Sequence, residues 1–523
     1  MAALKTLKKH FMVAFLAAGM VLGATAGAQA VDFKAKGEWL VGFGLGNANL
    51  QGGAGTPKDD LFSASQRIRL QLDAVASENL SGTVFFEIGT QDWGYGDEGG
   101  ALGADGIMVK VKNAYIDWTV PETDLAVRMG LQAFALPNAA GGSAIMDGDV
   151  AAVTGTYKFS DEVSLTAFWM RPANDNYQGY VDGRGRDKTH YRHYLDNIDF
   201  FGLTVPLTFD GFEITPWAMY GMIGRNALDS ANGWDRNGNV TATDGDMTNT
   251  LFATLPGQNL SYGFRSKGRA YADAWFFGLP ISVTALDPVN IEFDVNYGYV
   301  SGVGRHDVFD YKNNRAKRAD SRREGWLIKA LVEYKMDWGV PGIFGWYSSG
   351  DDGDVKNGSE RIPSVAGAGN FTSFMGCAGT DWWADNVKGG LFYEMNMTYA
   401  GTWGVGLHVR DMTFLEDLSH TFRVAYWGGT NSPDMVKYVN QSGAGMSNIT
   451  FDGPYLTKND GLVEFNLDNT YKIYENLSVN LDLGYIINCY DRGTWSRRWT
   501  KGNGNGMSKH DAWKAQLTFA YTF

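Results

Sequence analysis

The stretch Val289–Tyr299, VNIEFDVNYGY, alternates apolar and polar side chains over its whole length. The apolar set is Val289, Ile291, Phe293, Val295, Tyr297 and Tyr299, and the set between them is Asn290, Glu292, Asp294, Asn296 and Gly298. A period of two predicts a β-strand with one apolar and one polar face. A soluble barrel fills its core with the apolar set, whereas a membrane barrel turns that set toward lipid and lines water with the other. We expect the membrane arrangement.

The same alternation continues to the last residue. The chain ends DAWKAQLTFAYTF, residues 511–523, with an apolar side chain at every second place: Trp513, Ala515, Leu517, Phe519, Tyr521 and Phe523. No linker divides the 523 residues, since Pro is scarce (13) while Gly is abundant (67) and aromatics reach 14%. This combination predicts a single large all-β unit.

The first thirty residues have the layout of a secretory signal peptide. Lys5, Lys8 and Lys9 precede the apolar run Phe11–Ala24, and small residues follow up to Ala30. The alternative is a membrane anchor, but a spanning helix needs about 20 apolar residues. We therefore expect residues 1–30 to be a cleaved signal peptide and residues 31–523 to form one barrel domain outside the cytoplasm.

Short turns and long loops alternate along the mature chain. Eight short turns are recognisable: Ser77–Leu80, Pro121–Asp124, Ser160–Glu162, Asp210–Gly211, Leu286–Pro288, Asp337–Gly339, Leu415–Leu418 and Tyr474–Leu477. Long segments rich in Gly, Asn and Asp lie between them, at 225–268, 351–400 and 430–460. Short turns at one end and long loops at the other are typical of a transmembrane antiparallel up-and-down β-barrel of the outer membrane. We predict 18 strands, or 16 if one turn is misread, and leave open whether segment 386–399 is wall or loop.

One predicted strand changes its parity. Val109 and Val111 are apolar against Lys110 and Lys112, but Ala114, Ile116 and Trp118 then take the apolar role from the other parity. A β-bulge inserts one extra residue and so exchanges the two faces. We predict a bulge near Asn113.

Tryptophans cluster near the ends of predicted strands. Examples are Trp39, Trp93, Trp118, Trp169, Trp403 and Trp427. Amphipathic rings suit the two boundaries between lipid and water, although ordinary packing is the alternative for any one of them.

Composition and motifs argue against several function classes. A net charge of −13 disfavours nucleic acid as a partner. The loop pair His190 and His193 could attract a metal, but such a pair is more often part of a solvated loop. The acidic stretches 235–239 and 351–354 lack the full spacing of a calcium loop. No pair of a histidine and a serine at matching positions on the lumen edge can be identified, as an outer-membrane phospholipase would need. We expect no enzyme activity, no cofactor and no metal, and we leave open whether Cys377 and Cys489 pair and whether the loops bind Ca²⁺.

The chain resembles the trimeric general porins, in particular the homotrimeric porins of sulfate-reducing bacteria. The likeness is carried by Asn113–Trp118, Gly130–Ala133, Gly401–Leu407 and Glu416–His420. The terminal Phe523 also resembles the insertion signal that the outer-membrane assembly machinery reads.

The resemblance implies a homotrimer in contact with membrane lipid and lipopolysaccharide. It implies passive diffusion of ions and small hydrophilic solutes through a water-filled channel. Loop Gly94–Gly106 corresponds in position to the loop that latches onto a neighbouring subunit. A substrate-specific channel and a barrel serving as an adhesin or surface anchor remain as alternatives.

Charged side chains are expected along the lumen. The predicted basic side of the constriction is Arg67, Arg69 and Arg128. Further residues expected to face the lumen are Gln71, Asp73, Gln132, Glu292, Asp294, His408, Arg410, Arg423, Glu464 and Asp468. Segregated charge in a narrow aqueous pore orients polar solutes and sorts ions.

The resemblance places the constriction loop at residues 137–149. Pro137 ends a strand, and Gly141 and Gly142 permit a turn back into the lumen. We expect Asp147 and Asp149 to face the three arginines across the opening, with the longer loop 225–268 sharing the task.

Overall fold

The computed structural model describes most of the mature chain. The described residues are 31–47, 50–52, 61–96, 100–103, 109–174, 197–224, 249–253, 255, 265–266, 271–302, 304–376, 398–439, 449–450, 452–497 and 508–523. The predicted signal peptide, the histidines at 190 and 193, the acidic stretch 235–239 and Cys377 lie outside these residues. Cys489 is exposed.

The described chain is built almost entirely of β-strands. They are β1 Asp32–Asn47, β2 Leu61–Ser77, β3 Leu80–Asp92, β4 Val109–Thr119, β5 Leu125–Ala135, β6 Asp147–Lys158, β7 Ser164–Asn174, β8 Asn197–Thr204 continued by Leu207–Phe209, β9 Phe212–Ile214 continued by Trp217–Gly224, β10 Tyr271–Val283, β11 Val289–Val300, β12 Arg323–Tyr334, β13 Val340–Ser348, β14 Thr402–Leu415, β15 Leu418–Gly429, β16 Gly461–Tyr474, β17 Leu477–Asn488 and β18 Ala512–Thr522. No helix of the described residues is long and apolar enough to cross a membrane.

The main sheet contains 18 strands. It has 20 segments, but β8 and β9 are each counted twice because Pro206 and Pro216 interrupt them. Proline has no N–H to donate to a ladder, so a strand breaks where one occurs. The larger of the two predicted strand numbers is therefore confirmed.

The sheet closes on itself through the two ends of the chain. β1 pairs antiparallel with β2, with Trp39 opposite Ile68, and with β18, with Phe43 opposite Leu517. Gly37 and Phe523 exchange backbone hydrogen bonds of 2.8 and 3.1 Å. Closure pairs the edge strands, as any sheet that crosses lipid requires.

All eight predicted short turns connect consecutive strands at one end of the barrel. The long connections lie at the other end, so the alternation of turn lengths is confirmed. Strand β13 pairs directly with β14, with Ile343 opposite Leu407. Residues 386–397 of the segment left open in the sequence lie outside the described residues, and Thr398 and Tyr399 precede β14.

The predicted bulge is also confirmed. Phe85 pairs with Asn113 and Phe86 with Val111, which leaves Lys112 as the extra residue. Val109 and Val111 consequently share the outward face with Ala114 and Ile116.

The outward face is apolar, with aromatic rings near both ends of the strands. Trp39, Trp93, Trp118, Trp169 and Trp403 are exposed on this single chain, in agreement with a position at the membrane boundaries. The interpretation of Trp427 is wrong, since its ring is fully buried inside the barrel and its Nε1 donates to Glu464 at 3.0 Å.

The buried core lies inside the half of the barrel that is next to the long external loops. It consists of inward side chains packed against external loops, and its largest members include Trp427, Tyr399, Phe200, Phe276 and Phe344. Several external loops supply the other side of this core, among them the third, residues 136–146, and the seventh, residues 349–401. We call them loop 3 and loop 7.

Candidate channel lumen

The strand register assigns the predicted polar side chains to the inward face. In an antiparallel ladder, directly opposed residues share a face. The register links Arg69 with Glu87, Asp117 with Arg128, and Arg423 with Asn466. The following residues fall on the same inward parity: Gln71, Asp73, Gln132, Glu292, Asp294, His408, Arg410, Glu464 and Asp468.

Carboxylates pair with Arg69 of β2 and Arg128 of β5. Arg69 donates to Glu87 at 3.0 Å, and Lys110 lies 3.8 Å from the same carboxylate. Arg128 forms a two-pronged pair with Asp117, at 2.6 and 3.0 Å, and its guanidinium lies 4.2 Å from the centre of the Tyr115 ring. A guanidinium held by a carboxylate and a ring has a fixed plane of donors. We call this surface the basic wall.

Arg67 differs from the other two predicted arginines. Its side chain is buried, with 8% exposure, whereas Arg69 and Arg128 remain accessible from the lumen. Below them, Asp73 accepts hydrogen bonds from Gln71 at 2.8 Å and from Thr83 at 2.6 Å. The accessible positive charge of this wall therefore comes from Arg69, Lys110 and Arg128.

The opposite wall carries a second set of paired charges. Glu333 accepts hydrogen bonds from Arg410 at 2.6 and 2.9 Å and from Asn290 at 3.2 Å, and it lies 2.9 Å from His408 Nε2. Arg423 forms an ion pair with Asp468 on the neighbouring strand. Most of the predicted charged lumen residues on this wall are therefore paired with an opposite charge.

Loop 3 docks on two fully buried charges. The backbone N–H groups of Ala139 and Ala140 donate to Asp294 Oδ2 at 2.9 and 2.6 Å. Lys329, which is 3.7 Å from the same oxygen, donates to the carbonyl of Gly142. A buried carboxylate needs such donors to offset its lost hydration. Asp294 thus anchors the loop rather than lining open water.

Loop 7 docks on another buried carboxylate. Glu464 accepts hydrogen bonds from the backbone N–H groups of Phe374 at 2.9 Å and Met375 at 3.2 Å. Ser373 donates from its backbone to Asn466 at 3.0 Å and from its hydroxyl to Asp468 at 2.9 Å. The described part of loop 7 therefore enters the barrel instead of remaining external, which the sequence did not predict.

Loops 3 and 7 form one layer across the lumen. Backbone hydrogen bonds join Val365 to Ile145, Ala368 to Ser143 and Asn370 to Gly141, at 2.8 to 3.0 Å. Gly141 and Gly142 have φ of 63° and 81°, and a Cβ on Gly141 would lie 2.5 Å from the Phe371 ring. Only glycine combines that backbone with so close an approach. We call residues 139–146 together with 365–376 the loop layer.

Asp147 and Asp149 do not face the arginines. They lie on β6, where Asp147 opposes Ala135 and Asp149 opposes Ala133, all on the outward parity. Asp149 pairs with Lys112, the bulge residue, and accepts from Asn113 at 2.8 Å. The expectation failed because β6 begins at Asp147, so both carboxylates follow the strand's alternation rather than the loop.

The predicted share of loop 225–268 in the constriction stays a prediction. Loop 225–268 lies mostly outside the described residues, although Thr250 Oγ1 donates to Ser364 O at 2.8 Å. Within the described chain, loop 7 is the partner of loop 3.

Sequence reasoning missed the residues that pair or anchor these groups. Glu87, Asp117, Glu333, Lys329 and Lys514 all lie on inward parity, so the alternation contained the signal. Their partners depend on strand register and loop path. Lys514, for example, donates to Ser373 O at 2.6 Å across 141 positions of sequence.

External loops are held together by a buried ionic network above the layer. Asp452 accepts a hydrogen bond from Arg323 at 2.8 Å and forms an ion pair with Arg361 at 3.0 Å. Arg361 is 3.5 Å from Asp351, which also accepts from Tyr455 at 2.7 Å. All five side chains are nearly inaccessible. The network joins loop 7 to the loop between β15 and β16.

Two titratable groups flank this network with opposite shifts. Burial raises the pKa of Glu360 to about 7, and the nearby Asp351 and Asp352 add to the shift. Burial lowers the pKa of His306 to about 4, and no hydrogen bond reaches its Nδ1. The loops therefore contain groups that change charge near neutral pH and in acid.

Comparisons with known proteins find likeness in structure only. No family model and no curated protein matches the chain. Among solved structures, it is similar to Pseudomonas aeruginosa OpdQ, at 11% identity, 94% of this chain, 98% of that chain and a TM-score of 0.48. The chain is also similar to Acinetobacter baumannii OccAB3, at 11% identity over 94% of this chain and 99% of that chain, with a TM-score of 0.48. It is similar to P. aeruginosa OpdK with vanillate at 9% identity over 94% of this chain and 98% of that chain, with a TM-score of 0.47.

The assignment of the chain rests on its own geometry. An even number of antiparallel strands, closure without an edge, short turns at one end and an outward apolar face together define this class of barrel. The protein is an 18-stranded β-barrel of the outer membrane.

Proposed function

We propose that the barrel is a porin, a water-filled channel through which ions and small hydrophilic solutes diffuse. The observation that carries this proposal is the charged inward face beside the loop layer. A space of about 470 Å³ adjoins strands β4 to β7, where Asp117, Arg128, Gln132 and Thr154 line it. Accessible charged and hydroxyl groups on a lumen surface favour water and dissolved solutes over a dry core.

The loop layer sets the size of the opening in this proposal. Four buried charges, Asp294, Lys329, Glu464 and Lys514, fix it against one side of the barrel. The passage then runs between the layer and the basic wall. Arg69 and Arg128 line the constriction on the basic side, and Arg67 supports the wall from a buried position.

A substrate-specific channel is the second candidate. The observation in its favour is Arg128, whose guanidinium is held in one plane by Asp117 and Tyr115. A fixed fork of donors suits a carboxylate-bearing solute better than free diffusion requires. Block of single-channel current by one solute at low concentration distinguishes this candidate from a general porin.

The assembly and biogenesis expectations belong to the same proposal. We propose a homotrimer, a close relationship to the porins of sulfate-reducing bacteria, and reading of Phe523 by the insertion machinery. Lipopolysaccharide and lipid would surround the outward face outside the subunit contacts.

Swelling of liposomes that contain the purified protein tests the channel. Sugars of increasing size are applied under iso-osmotic conditions. A porin gives swelling rates that fall with sugar size. Proteoliposomes that stay impermeable to the smallest sugar, while the barrel remains folded, would favour the adhesin or anchor alternative.

A further inference from the structure

A separate cleft opens beneath the start of loop 3. It has a volume of about 240 Å³ and is lined by Pro137, Asn138, Ala139, Glu213, Thr215, Pro280, Ser282 and Glu292. The register forms its floor, since Glu213 opposes Ser282 and Ser282 opposes Glu292. Loop 3 forms its roof, fixed by the Trp217 Nε1 bond to Pro137 O at 3.0 Å and by Asp294. The cleft is therefore a built feature of the wall and the layer.

The charged groups that line this cleft are both carboxylates. Glu213 has no hydrogen bond or ion pair in the described structure, and Glu292 accepts only from Asn290, at 3.1 Å. The described residues that line it include no lysine, arginine or histidine. This contrasts with the rest of the lumen, where Arg69, Arg128, Arg410 and Arg423 are each held by a carboxylate.

The spacing of the two carboxylates limits what they can bind. They are two strands apart, so their backbones are separated by about 10 Å at the usual 4.7–4.9 Å between strands. A single metal ion needs several oxygens within about 2.6 Å. A cation with two positive ends, or one with an apolar stem, fits the separation and the Pro137 and Pro280 sides better.

We infer that this cleft is a binding site for organic cations and that Glu213 and Glu292 give the channel a preference for them. The inference rests on the proposed function in that the cleft lies on the route of a diffusing solute. An ammonium group at either end meets a carboxylate, while Asn138, Thr215 and Ser282 supply neutral hydrogen-bonding groups beside it. Among the described residues, no ion pair holds Glu213 or Glu292 directly, and the charges of Arg410 and Lys329 act on Glu292 only from a longer distance.

Binding is measured first, on the detergent-solubilised full-length protein, by titration calorimetry with the diamine putrescine. Its neutral analogue butanediol and magnesium chloride serve as comparison ligands. We expect putrescine to bind, and to bind about tenfold more weakly to Glu213→Gln and to Glu292→Gln, which corresponds to the loss of one charge contact of roughly 1.4 kcal/mol. Butanediol and Mg²⁺ should give no comparable heat.

Planar-bilayer recording then measures the effect on transport. Putrescine on the periplasmic side should reduce the current of the unmodified channel, and the double variant should need at least tenfold more of it. The matched control is Asp149→Asn, because that carboxylate faces outward and should leave the block unchanged.

The possible results separate the two ideas. Putrescine binding by calorimetry without any conductance would contradict the proposed channel function and support the cleft as a cation-binding site. If the protein conducts but putrescine and butanediol affect the current equally, the cation-binding cleft is contradicted and the channel stands. The same conclusion follows if putrescine blocks folded Glu213→Gln/Glu292→Gln protein as well as it blocks the unmodified channel.

Discussion

At the scale of single residues, the lumen is governed by which charges are paired. Arg69 and Arg128 were foreseen from alternation, but Glu87 and Asp117, which neutralise them, were not. Alternation shows the face of each side chain, whereas a pair needs the register between strands. The bulge at Lys112 shifts that register by one residue, and no count of positions in one strand reveals such a shift.

Removing one member of the Arg128–Asp117 pair should change ion preference in a predictable direction. Arg128→Gln leaves Asp117 unopposed, so the reversal potential in a salt gradient should move toward cation preference. Asp117→Asn frees Arg128 and should move it toward anion preference, because the Debye length of about 10 Å at 0.1 M salt lets one charge dominate a narrow passage. Equal reversal potentials in both variants would contradict the placement of this pair on the conducting route.

The loop groups predict opposite responses to pH. The raised pKa of Glu360 means that the folded loops bind its proton more tightly, so their stability should fall as pH rises from about 4.5 to about 7. The lowered pKa of His306 means that unfolded loops bind a proton first, so stability should fall as pH drops from about 6.5 to about 4.

Hydrogen exchange of the external loops against pH measures both effects. Glu360→Gln should remove the loss of protection between pH 4.5 and 7 while leaving the acid limb intact. An exchange profile identical to that of the unmodified protein would show that Glu360 does not control this transition.

At the scale of elements, strands were predictable and loops were not. The alternation of Val289–Tyr299, the eight turns and the bulge near Asn113 follow from local sequence and agree with the structure. The loop layer depends on contacts between distant segments, such as Ala139 with Asp294 and Phe374 with Glu464. An inward carboxylate looks the same in sequence whether it lines water or receives a folded loop.

Loss of the Asp294 anchor should loosen the loop layer. Asp294→Asn removes the charge that faces Lys329 and weakens the acceptor for Ala139 and Ala140, and unpairing a buried charge costs about 3–5 kcal/mol. We expect noisier single-channel current and a larger mean conductance. Asp73→Asn is the control, since Asp73 is inward but contacts Gln71 and Thr83 rather than the layer. Quiet, unaltered channels in folded Asp294→Asn protein would mean that the layer is not held this way.

At the scale of the whole molecule, closure of the barrel depends on both ends of the chain. β1 pairs with β2 and β18, and Phe523 bonds to Gly37. Fold class and strand number were predictable because a membrane barrel repeats one rule in every strand. Assembly was not, since the outward face of a single chain does not reveal its neighbours.

The proposed homotrimer predicts a heat-sensitive oligomer. Detergent-extracted protein should have three times the protein mass of one mature chain by light scattering with refractive-index correction. Mild heating should convert it to particles with the mass of a single barrel, at a temperature below the one at which circular dichroism shows the strands unfolding. A monomeric mass in several mild detergents would remove the assembly proposal without affecting the barrel.

The central claim is that this barrel conducts, and single-channel recording of the purified full-length protein in a planar bilayer tests it most directly. The expected result is discrete current steps, linear in voltage at low potential, with conductance proportional to salt concentration. Deletion of residues 367–376 of loop 7 should enlarge the steps. Electrical silence from correctly folded, inserted protein, with the loop deletion equally silent, would contradict the claim.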